Sequence, residues 1–158
     1  MRIGLGFDVH RFDASRPLVL GGVTIAGSPG LLGHSDADVL AHAVGDAVLG
    51  AGGLGDLGSL FGDDDPRWEG VSSISLLEEI ASLVAGRGLT VVSVDATLLL
   101  EAPKIAPYRD EMRANIARAL RAALDHVGVK ATTTEGLGTV GRGEGAACMA
   151  VALLSLSG

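Results

Sequence analysis

The order of periodic segments predicts an α+β fold: one mixed β-sheet of about four main strands plus a small hairpin, with helices packed on one face as a two-layer sandwich. The segments run strand, hairpin, helix, helix, strand, helix, strand, strand, too few strand-helix units for a doubly wound parallel sheet. The chain has 158 residues, enough for a real core but not for a catalytic domain plus a separate binding domain. No linker, internal repeat or low-complexity tract divides it, so residues 1–158 are read as one domain.

The first strand is read from Ile3, Leu5, Phe7 and Val9 alternating with Arg2, Gly4, Gly6 and Asp8, a half-buried period of two. The apolar set is expected to face the core, leaving Asp8 and His10 on the other side. Arg11 to Pro17 reads as a turn-rich connection, Leu18 to Ile25 as a hairpin turning at Gly21-Gly22, and Gly27 to Gly33 as the link to His34. A helix is expected to begin near Ser35, with Asp38 closing a capping box and Asp38, His42 and Asp46 in one polar stripe opposite Leu40, Val44 and Val48. Gly50 to Gly70 is dense in Gly and Asp and reads as a long functional or mobile loop. Ser72 or Ser73 opens a second helix carrying Ile74, Leu77, Ile80, Ala81 and Val84, which ends around Gly86 and Gly88. Leu89 to Leu100 reads as a central strand, and Glu101 to Pro107 as a Pro-punctuated loop. The next helix runs to about His126 with Met112, Ile116, Ala119, Leu120 and Leu124 inward. Val127 to Thr134 is a strand, Glu135 to Gly145 a Gly-rich loop and Ala146 to Leu154 the last strand.

Composition narrows the function. The formal charge of −7 argues against a nucleic-acid groove and against an anionic membrane surface. Hydrophobic residues make up 47% of the chain and mean hydropathy is +0.41, yet no run approaches the roughly 18 apolar residues of a membrane span. An oligomer that hides apolar surface fits this balance. Cys148 is the one cysteine and sits in an apolar run, so it reads as a buried, inert thiol. Met1-Arg2-Ile3-Gly4 enters the first strand at once, leaving no room for a targeting peptide, so a cytoplasmic location is expected.

Two residues apart on a strand, Asp8 and His10 point to the same side of the sheet. With His42 they supply one carboxylate and two imidazoles, a set that suits Zn²⁺ with a fourth tetrahedral position open. Each histidine taken alone reads as a structural one. Asp46, one turn beyond His42, is either an acceptor fixing the His42 tautomer or a solvated carboxylate. Two G-x-G-x-x-G matches, at Gly53 to Gly58 and Gly136 to Gly141, are rejected as dinucleotide sites because neither opens a helix within a βαβ unit. Lys130-Ala131-Thr132-Thr133-Thr134-Glu135 gathers a cation, hydroxyls and a carboxylate at a strand end. That suits a diphosphate with a hard cation such as Mg²⁺, or else is a Thr-rich edge strand followed by a turn.

In order along the chain, Phe7-Asp8-Val9-His10, His34-Ser35-Asp36, Asp38-Val39, His42, Asp46-Ala47, Leu54-Gly55-Asp56, Phe61, Asp63, Asp65-Pro66, Ala102-Pro103-Lys104, Lys130 to Glu135 and Gly141-Arg142-Gly143-Glu144-Gly145 resemble the 2-C-methyl-D-erythritol 2,4-cyclodiphosphate synthases of the non-mevalonate isoprenoid pathway. The likeness spans almost the whole chain. It implies a homotrimer with active sites between chains, and the cyclisation of 4-diphosphocytidyl-2-C-methyl-D-erythritol 2-phosphate with release of CMP. It implies Zn²⁺ on Asp8, His10 and His42, and Mg²⁺ or Mn²⁺ held by Glu135 on the substrate diphosphate. His34 and Thr133 would stabilise the transition state. Leu100, Ala102, Pro103, Lys104, Ile105 and Ala106 would wrap the cytosine, and Asp56, Leu57 and Gly58 would meet the ribose. Asp63 would address the erythritol portion from the mobile loop, and Ser35, Phe61, Asp65, Ala131, Thr132, Thr133 and Glu135 would also bind the substrate. Arg142 and Glu144 would line a central trimer cavity that takes an isoprenoid diphosphate. Thr139 stands there in place of the aromatic residue of many members, and Leu5 in place of a histidine found in some. A zinc-dependent phosphate-ester hydrolase and a non-catalytic, metal-stabilised nucleotide-binding module are the rival readings of the same ligands.

Overall fold

A computed structural model describes residues 1–62, 66–68 and 70–157. Its five strands form one sheet in the order β2-β1-β5-β3-β4, with β1 at Arg2–Leu20, β2 at Val23–Leu31, β3 at Leu89–Leu99, β4 at Val127–Thr132 and β5 at Gly145–Leu156. Only β3 and β4 pair in parallel, so the sheet is mixed as expected. The chain between Arg11 and Pro17 is not a separate connection. It continues β1 into the hairpin, with register shifts around Pro17 absorbing the residues that read as turn formers. The hairpin turns at Gly21 and Gly22, both at positive φ (56° and 72°), where glycine is the residue that bears no penalty. Strand β2 runs on to Leu31, past the Gly27 where a link was expected.

Helix α1, Val39–Gly52, lies across β1 and β5. It starts four residues later than the sequence suggested, because Asp38 is its N-cap rather than a residue of its first turn. The Asp38 side chain accepts from Ala41 N at 3.0 Å and also from Gly21 N and Gly22 N at 2.9 and 2.7 Å. Asp38 is therefore fully buried, clamping the hairpin turn to the helix start, and leaves the polar stripe to His42 and Asp46. Burial pushes its carboxyl up to about 6, outweighing three backbone donors that favour the charged form.

The alternation in β1 is real but faces the other way. Ile3, Leu5, Phe7 and Val9 are 73%, 64%, 55% and 51% exposed, on the sheet face that carries no helix. The inner face is made by Gly4 and Gly6. A Cβ at Gly4 would lie 2.0 Å from the Ala47 carbonyl oxygen, so only glycine lets α1 seat this closely. Asp8 and His10 continue that inner row, beside the helix that bears His42.

Beyond α1, the expected long loop holds a one-turn helix, α2 at Leu57–Leu60, capped by Asp56 and Ser59, and a 3-10 turn at Pro66–Trp68. Helix α3, Ser73–Gly86, starts where expected and buries Leu76, Leu77, Ile80, Ala81 and Val84. Strand β3 is interior but not central, since β5 occupies the middle of the sheet. Helix α4, Arg109–Leu120, ends short of His126 because Arg121 turns left-handed (φ 55°), and Leu124 stands 50% exposed in a separate 3-10 turn. The Gly-rich loop before β5 contains another single turn, α5 at Gly138–Gly141. It joins β4 to β5, which runs in the opposite direction, so this loop belongs to no βαβ unit. Helices α1, α3 and α4 form one layer on one face of the sheet, and Cys148 lies buried beneath it with its thiol pushed up by burial.

Candidate active site

Asp8 and His10 from β1 meet His42 from α1 in a pocket of about 290 Å³. Asp8 Oδ2 lies 3.0 Å from both His10 Nε2 and His42 Nδ1, and the two ring nitrogens are 3.2 Å apart. Each ligand is oriented from behind. Asp8 Oδ1 accepts from Val9 N at 2.8 Å, which turns Oδ2 inward. His10 Nδ1 donates to the Leu32 carbonyl at 2.8 Å, which leaves the Nε2 lone pair facing the other two. His42 Nε2 lies 3.1 Å from Ser35 Oγ and 2.9 Å from Ser73 Oγ. Burial alone would raise the Asp8 carboxyl, but the close contacts and positive-charge-favouring field of His10 and His42 hold it well below the carboxylate range. Burial likewise disfavours a charged His42, yet the bond to Asp8 and its negative charge move the imidazole upward. The centre thus stabilises positive charge at the meeting point of three donor atoms, the chemistry of a cation site.

His34, Ser35, Leu57, Gly58 and Phe61 line the same pocket. The His34 segment is fixed by Arg16, whose guanidinium forks onto the carbonyls of Gly33 and Ser35. Sequence reasoning missed Arg16, and missed Trp68 and Leu76, which close the apolar side. Trp68 meets Phe61 edge to face, ring centroids 5.0 Å apart, and its buried indole Nε1 has no hydrogen-bond partner among the described residues. The sole tryptophan in a loop was the available signal. Asp46 lines the pocket as well, but its carboxylate accepts from Leu57 N at 2.8 Å, and serines take the place expected for it behind His42. Asp56 is exposed and caps α2. Asp63 and Asp65 lie outside the described residues.

A second pocket gathers Leu100, Pro103, Lys104, Ile105 and Ala106 with Lys130, Ala131, Thr132 and Thr133, while Ala102 stands exposed in the same loop. Lys130 is paired across the strands with Asp95, Nζ to Oδ2 2.5 Å. Glu135 sits just beyond at φ 53°, accepting from Thr133 Oγ1 at 2.8 Å. Arg142, at the end of α5 near Thr139, pairs with Glu144 at 2.6 Å. No described residue lines both pockets.

The family model described as YgbB family matches residues 1–155. The chain belongs to that family. It is 58% identical over 154 residues to the 2-C-methyl-D-erythritol 2,4-cyclodiphosphate synthase of Desulfatibacillum aliphaticivorans, covering 98% of this chain and 99% of that protein. It is 61% identical over 152 residues to a bifunctional enzyme IspD/IspF of Anaeromyxobacter sp. (strain Fw109-5), covering 96% of this chain but only 39% of that relative's length. A solved structure of 2C-methyl-D-erythritol-2,4-cyclodiphosphate synthase in a CDP-bound form matches with TM-score 0.89 and 41% identity, covering 98% of this chain and 100% of that one. The mixed sheet with its one-sided helical layer is thus the architecture of this YgbB-family chain and of its relatives. No described helix is long and apolar enough to cross a membrane.

Proposed function

We propose that this YgbB-family chain converts 4-diphosphocytidyl-2-C-methyl-D-erythritol 2-phosphate into 2-C-methyl-D-erythritol 2,4-cyclodiphosphate and CMP, in the cytoplasm. An oxygen of the 2-phosphate attacks the β-phosphorus, and the bond to the α-phosphate oxygen breaks, CMP leaving with its electrons. The observation that carries this reading is the convergence of Asp8, His10 and His42 in a pocket also lined by His34. Their donor atoms stand 3.0 to 3.2 Å apart, close to the roughly 3.3 Å edge of a tetrahedron built on Zn–N and Zn–O bonds of about 2.0–2.1 Å. The residues therefore fit zinc. When bound, the ion supplies Lewis-acid charge to a phosphate oxygen.

The remaining work is positioning, the main lever in phosphoryl transfer. His34, on a backbone held by Arg16, would donate to phosphate oxygens, and Thr133 would do so from the second pocket. Glu135, exposed beside the Thr133 hydroxyl, fits a hard cation such as Mg²⁺ or Mn²⁺ whose other ligands come from a diphosphate and water. The Leu100 to Ala106 loop would read the cytosine edge, and Asp56, Leu57 and Gly58 the ribose. Ser35, Phe61, Asp63 and Asp65 would meet the erythritol phosphate. The separation of the two pockets supports a homotrimer in which one chain lends the Asp8 half and its neighbour the Glu135 half. The exposed apolar row Ile3, Leu5, Phe7 and Val9, joined by Met149 and Val151, supports burial of that sheet face between copies. Arg142 and Thr139 would then lie toward the shared axis, where an isoprenoid diphosphate is the ligand to try.

The test is CMP release from the diphosphocytidyl substrate, beside hydrolysis of simple phosphate esters. One CMP per cyclic product, with no ester hydrolysis, is expected. Ester hydrolysis without CMP would favour a zinc hydrolase, and binding without turnover a nucleotide-binding module.

A further inference from the structure

Ser73, the first residue of α3, is 1% exposed, and its hydroxyl touches two groups at once. It donates to Asp36 Oδ1 and lies 2.9 Å from His42 Nε2. A hydroxyl has one proton, so the direction of these contacts is determined by Asp36. That carboxylate also receives Ser73 N on Oδ2 at 3.0 Å and Asp38 N on Oδ1 at 3.2 Å, the pattern of an ionised, acceptor-only group. The Ser73 proton goes to Asp36, and Ser73 can only accept from His42. The contact at 2.9 Å is then a hydrogen bond when Nε2 carries the imidazole proton, which leaves Nδ1, the atom facing Asp8 and His10, to ligate. Ser35 Oγ, 3.1 Å from the same nitrogen, does not decide the matter, because its hydroxyl is free to play either part.

We propose that Asp36 is a positioning residue for the metal centre, setting the ligating tautomer of His42 through the Ser73 hydroxyl. Removing the carboxylate releases the Ser73 proton to donate to Nε2. The imidazole then favours a proton on Nδ1, where it competes directly with the ion. The relay spans two elements: Asp36 follows His34 and Ser35 in their loop, and Ser73 begins α3. The loop must be docked on that helix for the tautomer to be held. The inference rests on the metal reading of Asp8, His10 and His42.

Zinc affinity is measured by chelator competition for the parent, Asp36→Ala, Ser73→Ala and Ser73→Thr, and exchange of the His42 Nε2 proton is followed by NMR in the zinc-loaded proteins. Asp36→Ala should lower affinity about 10- to 100-fold, the range for losing an outer partner of a ligating histidine, and should speed exchange of that proton. Ser73→Ala should fall about tenfold or less, with Ser35 as the remaining acceptor, while Ser73→Thr keeps the hydroxyl and should stay near the parent. Asp36 also holds the first N–H of α3, so if Asp36→Ala does not fold, Ser73→Ala, which retains that bond, carries the test against Ser73→Thr. Affinity and proton exchange unchanged in the folded variants would overturn the relay and leave the metal reading standing. A parent that binds no zinc would overturn both.

Discussion

Gly6 of β1 lies directly under Ala43 of α1: a Cβ at Gly6 would meet the Ala43 carbonyl oxygen at 2.0 Å and the Ala47 nitrogen at 2.6 Å. Those atoms are helix backbone and cannot swing aside. Asp8 and His10 follow Gly6 on the strand, and His42 precedes Ala43 on the helix, so this close approach also sets the spacing of the donor atoms.

Gly6→Ala should therefore weaken fold and site together. Forcing a methyl into a closed interface typically costs about 1–3 kcal/mol, and a shift of even a fraction of an ångström separates the β1 ligands from His42. Urea unfolding and zinc competition would measure the two effects. Parent-like values in both would mean that α1 does not need this approach to β1.

The donor set was legible in the sequence for a reason that did not depend on knowing the core. Two residues apart on a strand share a face whichever way that face points, and His42 lies on the helix that the hairpin delivers to β1. The face itself was misread. A period of two identifies two faces, and hydropathy assigns the apolar one to the core; here Gly4 and Gly6, which carry no side chain to score, are the inward row. The cap at Asp38 was also out of reach, since its partners Gly21 and Gly22 lie 17 and 16 residues away and pull it out of the helix. Ser73 stands 31 residues from His42, and no local pattern joins them.

Asp38 gives a pH dependence of definite sign. Its folded carboxyl is pushed up to about 6 from 3.8, so between those values the native state keeps a proton that the unfolded chain has lost. Stability from this group is full below about pH 4 and falls as pH rises through 6, by about 3 kcal/mol at most. Asp38→Asn has no such proton. Urea unfolding of parent and variant from pH 4 to 7 should show the parent's advantage shrinking as pH rises. A constant difference across that range would show that Asp38 ionises normally in the fold.

Phe7 stands 55% exposed in the middle of the apolar row on the open sheet face. Phe7→Asp removes apolar area from the surface of one chain, so its folding should be little affected, but it would bury a charge between copies. Sedimentation velocity should give a trimer for the parent and a monomer for the variant, with parent-like circular dichroism. A variant that stays trimeric would exclude this face as the interface.

The separation of the two pockets leads to a complementation experiment. His42→Ala damages the half-site built on β1 and α1, and Glu135→Ala the half-site at the end of β4, so each variant alone should be nearly inactive. If one chain lends the first half and its neighbour the second, a mixed trimer pairs the intact metal half of the Glu135→Ala chain with the intact cytidine half of the His42→Ala chain. Random assembly from equal amounts restores about a quarter of the sites, because each half is intact with even odds. Co-refolded mixtures would be assayed for CMP release against each variant refolded alone, with mixed trimers verified by a size-tagged partner. A gain toward a quarter of parent activity is expected. No gain in verified mixed trimers would mean that both halves of a site come from one chain, and that the two pockets must close on each other within it.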